Sequence, residues 1–145
     1  MKNYQSMLFA SDLSPESDVV GKQALQIAKQ VGATLSIVHV FAFVPMTYGG
    51  VEFAVPMDAS VKEELVQQAK QRLQEQAAQL QIPLERQWLP AGIIKSELID
   101  IIKNENIDLI MVGAHSHHGL AILLGSTADS LLHAMPCDVL ALHLK

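Results

Sequence analysis

Apolar and polar positions change period repeatedly along the chain, and that alternation predicts the fold. Met7-Leu-Phe-Ala10 is an unbroken apolar run closed by Ser11-Asp12-Leu13-Ser14-Pro15, which reads as a strand running into a turn. Val19, Val20, Ala24, Leu25, Ile27, Ala28 and Val31 then keep helical spacing. Ser14 suits the N-cap of that helix, Pro15 its first turn and Gly32 its stop. Residues 34–41 predict a second strand, and 42–57 a loop rich in proline, glycine and aromatics. Residues 58–80 predict a long polar helix, with Val61, Leu65, Ala69, Leu73 and Ala77 on one stripe. A third strand over 84–89, a third helix over 96–103 and a fourth strand over 109–112 follow. A fourth helix over 128–134 and a fifth strand over 138–144 close the pattern.

Strands interleaved with helices predict an α/β fold, a single-domain open parallel five-stranded sheet with helices on both faces, filling 1–145. Such sheets bind ligands beyond the carboxyl ends of their strands, where the strand order reverses. In the common five-stranded winding the first and fourth strands flank that point. Their exits here are Asp12 and Gly113.

The segment leaving the fourth strand is Gly113-Ala-His-Ser-His-His-Gly119-Leu-Ala-Ile-Leu-Leu-Gly125-Ser126-Thr127. Glycines let a backbone approach an anion closely, and the free N–H groups of a following helix start point at it. Ser126 and Thr127 add hydroxyl donors at the expected cap. A strand, a glycine-punctuated loop and a helix start together suit a phosphate. Each part also has a plainer reading: Asp12 suits a turn or helix cap, and Gly125-Ser126-Thr127 suits an ordinary helix start.

Composition removes several classes of function. Half of the 145 residues are hydrophobic, 17% are charged and the formal net charge is −5, which describes a packed domain without the basic footprint of a nucleic-acid binder. The apolar stretch near Met1 is too short for a membrane span or signal peptide. The single cysteine, Cys137, forms no internal disulfide and reads as an inert, partly buried thiol in a reducing, cytoplasmic setting. His115, His117 and His118 lie too close in sequence to converge on one metal ion without rearrangement, so no metal site is assigned. His117 instead suits pH-dependent attraction to phosphate. His39 and His143, between apolar neighbours, read as structural histidines, and Trp88 as core or edge packing. The P-loop pattern of glycines followed by Lys-Ser/Thr is absent.

Taken together, several pieces resemble the universal stress proteins of the UspA family over essentially the whole chain. They are Ala10-Ser-Asp12-Leu-Ser-Pro-Glu16, Ser36-Ile-Val-His39-Val40, Asp108-Leu-Ile-Met-Val-Gly113-Ala-His115, Gly125-Ser126-Thr127-Ala128 and Pro136-Cys-Asp138-Val-Leu140. The resemblance implies strand order 3-2-1-4-5, a homodimer, and binding of ATP or a related adenine nucleotide, with Mg2+ as the accompanying cation. It places Asp12 near the ribose or adenine end and Val40 against the adenine. Gly113, Ser116, His117 and Gly119 would line the loop, while Gly125, Ser126 and Thr127 would hold phosphates. The sequence departs from the family's Gly-x-x-Gly motif at its second glycine, which is Ser116 here. The spacer from there to Gly125 is eight residues, one shorter than the usual motif.

Three functions follow as expectations. The first is a dimeric, nucleotide-binding stress-response sensor or regulator. The second is a dimeric interaction module with a vacant crevice, acting on protein partners the sequence does not name. The third is an ATPase, for which Asp12 and His117 are candidates only by location, since the loop carries no lysine or arginine. The dimer is expected through the edge formed by Val139, Leu140, Ala141 and Leu142, because an unpaired apolar edge invites a second chain.

Overall fold

Met7, Leu8 and Phe9 of β1 (Ser6–Ala10) are each at most 1% exposed, so both faces of this strand are covered. The computed structural model describes residues 3–42, 45–48, 51–54, 59–114 and 135–143. β1 pairs in parallel with β2 (Thr34–Val38) on one side and β8 (Leu109–Gly113) on the other. β6 (Gln87–Trp88) extends the sheet beyond β2, and β9 (Asp138–Leu142) extends it beyond β8. The order β6-β2-β1-β8-β9 is the expected 3-2-1-4-5 winding.

Alternate side chains feed two separate cores. Met7, Phe9, Leu35, Ile37, Leu109 and Met111 pack under α1 (Pro15–Val31) and the end of α2 (Ala59–Gln79). Leu8, Val38, Val40, Ile110 and Val112 pack under α3 (Ile94–Asn104) on the opposite face. On α1, a side chain added at Gly21 would meet Phe9 at 3.0 Å and Leu80 at 3.1 Å, so the missing Cβ lets helix and sheet approach.

Local signals explain the boundaries of α1. Ser14 is its N-cap, with the hydroxyl accepting from the Ser17 amide, and Pro15 follows. Gly32 ends it in the left-handed region at φ 73°. At the amino ends of the strands, the Asp108 carboxylate accepts from the amides of Gln5 and Ser6 at 2.9 and 3.2 Å. The Tyr4 hydroxyl donates to Asp138 at 2.7 Å, which ties β1 to the edge strand β9.

Several expectations need correction. The second strand stops at Val38, and Phe41 belongs instead to β3 (Phe41–Ala42), which pairs with β7 (Ala91–Gly92). The segment expected as loop carries an antiparallel pair, β4 (Pro45–Tyr48) with β5 (Val51–Ala54). The third strand is shorter than expected, because Leu84–Arg86 form a 3-10 turn. The stripe on α2 is half used: Leu73, Gln76 and Ala77 are buried, while Val61 and Leu65 are 48% and 39% exposed. Helical spacing made the stripe, but only its carboxy-terminal half reaches the sheet. The expected fourth helix lies outside the described residues.

Trp88 packs at the edge against the α3-side core, as expected. Among the described residues, no helix is long and apolar enough to cross a membrane.

Candidate functional site

The strand order reverses between β1 and β8, and the chain leaving each of them carries polar or glycine residues. β1 ends in Ser11-Asp12-Leu13-Ser14. The Ser11 amide donates to the Val38 carbonyl at 2.9 Å, so the exits of β1 and β2 stay side by side past the regular pairing. Asp12 Oδ1 accepts from both the backbone amide and the hydroxyl of Ser14, at 2.9 and 2.6 Å. This is an Asx turn, in which a short side chain bonds the backbone two residues on. The plainer reading of Asp12 as a turn residue is therefore correct for one of its oxygens.

Leu13 sits at φ 62°, a left-handed conformation that costs a non-glycine residue roughly 1–2 kcal/mol. The surroundings fix it from both sides. Its amide donates to the Ser11 hydroxyl at 3.0 Å, and its carbonyl accepts from Arg72 Nε at 3.2 Å. Arg72 Nη2 also donates to the Ser14 carbonyl at 3.3 Å and to Asp18 at 2.9 Å. Gln76, 1% exposed, accepts from the Ser11 hydroxyl and donates to Ser17 and Asp18 at 2.8 and 2.9 Å. Partial burial works to raise the Asp18 pKa, but hydrogen bonds from Arg72 and Gln76, with the charges of Arg72 and Lys22, hold it below its ordinary value.

At the exit of β2, His39 Nδ1 lies 2.8 Å from the Ser11 carbonyl. A carbonyl only accepts, so Nδ1 carries the proton and the neutral ring keeps Nε2 as an acceptor. Burial pushes the His39 pKa down, opposed by that hydrogen bond and by the charge of Asp12. His39 thus matches the structural-histidine reading, though it stands just beyond its strand. His143 does not match, being exposed past the end of β9. Val40, 8% exposed, enters the α3-side core. On the other wall, Gly113 is buried in β8, and the Ala114 amide donates to Leu142 at 2.8 Å.

Of the residues predicted for the site, the structure sets Asp12, Val40 and Gly113 at the carboxyl ends of adjacent strands. Ser116, His117, Gly119, Gly125, Ser126 and Thr127 lie outside the described residues, as do His115 and His118. Sequence reasoning missed Gln76 and Arg72. Their signal was a polar residue on the core-facing stripe of α2, four positions from an arginine. Among the described residues, no group of His, Cys, Asp or Glu could hold a metal ion. Cys137, partly buried, has its thiol pushed up to about 11 by desolvation, which keeps it protonated and unreactive.

The profile of the universal stress protein family matches residues 3–143. Universal stress protein A homolog 1 of Coxiella burnetii is 41% identical over 143 residues, covering 99% of each chain. Among solved structures, a universal stress protein in complex with cAMP matches with a TM-score of 0.65 at 19% identity, over 98% of each chain. The universal stress protein from Archaeoglobus fulgidus in complex with dAMP matches with a TM-score of 0.59 at 16% identity, over 97% of this chain and 98% of that one. At these identities the two structures speak for the fold.

The depressed His39 pKa gives a pH dependence of definite sign. Below its ordinary 6.5, the unfolded chain takes up a proton that the folded chain resists. The stabilisation is complete above that pH and is lost as pH falls through the folded value. Denaturant midpoints measured between about pH 7.5 and 5 should therefore decline more steeply for the parent than for His39→Gln. Equal slopes would contradict the assignment.

Proposed function

The chain belongs to the universal stress protein family, and on that premise we propose that it binds an adenine nucleotide, ATP foremost, as a sensor or regulator. The observation that carries this reading is the β1–α1 turn. It holds a carboxylate, Asp12, at the exit of β1, where the strand order reverses toward β8. Relatives of the same fold were solved in complex with cAMP and with dAMP. The described donor set fits the sugar end of such a ligand. Asp12 is an acceptor suited to ribose hydroxyls, and on this reading the base would lie beside Val40 at the exit of β2 and the ligand would pass Gly113 at the end of β8.

Ser116, His117, Gly119, Gly125, Ser126 and Thr127 would take the phosphates, with Mg2+ offsetting their charge. Regulation by binding is preferred to turnover, because the loop 113–127 carries no lysine or arginine to stabilise a transferring phosphoryl group. A cytoplasmic setting, with its nucleotide pool and reducing conditions, suits both the ligand and Cys137.

The Asx turn at Asp12 and the serine at 116 favour one second reading, an interaction module that leaves its crevice empty. Calorimetry with ATP, ADP and AMP at about millimolar concentration, with Mg2+, separates the two. Saturable binding that Asp12→Ala weakens by about tenfold or more supports the nucleotide reading. No binding of any of the three leaves the interaction module.

The regulator would act as a homodimer through β9. That strand is the sheet edge, and Val139, Leu140, Ala141 and Leu142 are only partly buried. Antiparallel pairing with the same strand of a second copy would satisfy its outward backbone groups about a two-fold axis. Light scattering should then give twice the 15.8 kDa chain mass, falling to one chain mass for Ala141→Asp. A monomeric parent contradicts the proposal.

A further inference from the structure

We propose that Gln76 and Arg72 of α2 are positioning residues for the nucleotide crevice, setting the β1–α1 turn and, through it, the Asp12 carboxylate. The inference rests on the nucleotide reading above and deepens it by naming the element that controls ligand affinity.

The turn does not hold itself. Its apex, Leu13, is a branched residue in a left-handed conformation, and such residues persist only where the surroundings over-determine them. Two of the groups that do so come from α2. Arg72 donates to two successive turn carbonyls, Leu13 and Ser14 at 3.2 and 3.3 Å, a fork that a lysine ammonium would not match in geometry. Gln76 accepts from the Ser11 hydroxyl, and that same hydroxyl accepts from the Leu13 amide at 3.0 Å. The glutamine therefore orients the serine, which in turn holds the strained residue next to Asp12.

The carboxylate is linked to this arrangement through Ser14. Asp12 Oδ1 is fixed by the Ser14 amide and hydroxyl, while the Ser14 carbonyl accepts from Arg72 and from the Ser17 hydroxyl. Ser17 is also the acceptor for the Gln76 amide at 2.8 Å. Arg72 and Gln76 stand one helical turn apart on the same face of α2, so one rigid surface reads the whole turn.

The choice of residue is informative. Gln76 is 1% exposed beside Leu73, Ala77 and Leu80 of the apolar core, where a leucine would pack without any polar requirement. An amide there is useful only for what it bonds. Both of its ends are directed at Ser11, Ser17 and Asp18, all in the turn or the first turn of α1.

Gln76→Leu and Arg72→Met remove these hydrogen bonds while keeping side-chain bulk. Two measurements apply to each. In the ligand-free protein, the Leu13 and Ser14 amides should exchange with solvent about tenfold faster or more, with the β1 and β2 amides unchanged. In calorimetry with ATP, each variant should bind about tenfold more weakly. In an Asp12→Asn background, the same substitutions should change affinity by less than about threefold, because positioning acts through the carboxylate.

Equal losses in both backgrounds, or unchanged exchange at Leu13 and Ser14, overturn the proposal. Should Gln76→Leu not fold, Arg72→Met carries the test alone, since Arg72 is 27% exposed and outside the core. A parent protein that binds no ATP but shows the predicted exchange would overturn the nucleotide reading while leaving the positioning of the turn intact.

Discussion

The amide of Gln76 joins three stretches of chain that are far apart in sequence: the exit of β1, the first turn of α1 and the carboxy-terminal half of α2. It has almost no access to water, so its bonds to protein must close. Low local polarity strengthens each bond and makes a missing one expensive. That constraint fixes how α2 sits over the sheet and how Ser11 faces the turn. Through Ser11, which accepts from the Leu13 amide, it bears on the left-handed Leu13 beside Asp12.

The sheet supplies the frame on which this constraint acts. Strands buried on both faces leave their exits as the places where backbone and polar side chains meet solvent. β1 and β8 are neighbours, but the chain leaves β1 toward α1 on one face and enters β8 from α3 on the other. The strand order reverses between these two neighbours, which is where open parallel sheets bind ligands. The Asp12 turn stands at the exit of β1, and Gly113 ends β8. His39 braces the turn from β2 through the Ser11 carbonyl. Ser11 is thus bonded to the exit of β2 through both its amide and its carbonyl, and the turn inherits the rigidity of that strand.

Much of this was legible in the sequence, for identifiable reasons. Unbroken apolar runs at 7–10 and 109–112 announced strands covered on both faces, and Ser14, Pro15 and Gly32 marked the ends of α1 by their local chemistry. Asp12 was found because strand exits are where such folds place polar groups. The turn's supports were not legible. A glutamine in a Gln-rich helix looks like a solvated residue until the helix is docked, and only then does its burial appear. For the same reason Val61 and Leu65 looked like core, since periodicity reports a face but not how far along the helix the partner extends. The short strands at 41–42 and 91–92 also escaped notice, because pairs of two residues leave no period to read.

An adenine nucleotide held between the exits of β1 and β8, as proposed, would be met there by the Asp12 turn. Amide chemical shifts followed by NMR during an ATP titration with Mg2+ test it most directly. Such binding should give saturable shifts at Asp12, Leu13, Ser14, His39, Val40, Gly113 and Ala114, with the amino-end residues Tyr4, Asp108 and Asp138 undisturbed. Saturable shifts confined to the amino ends of the strands, or none at all, would contradict it.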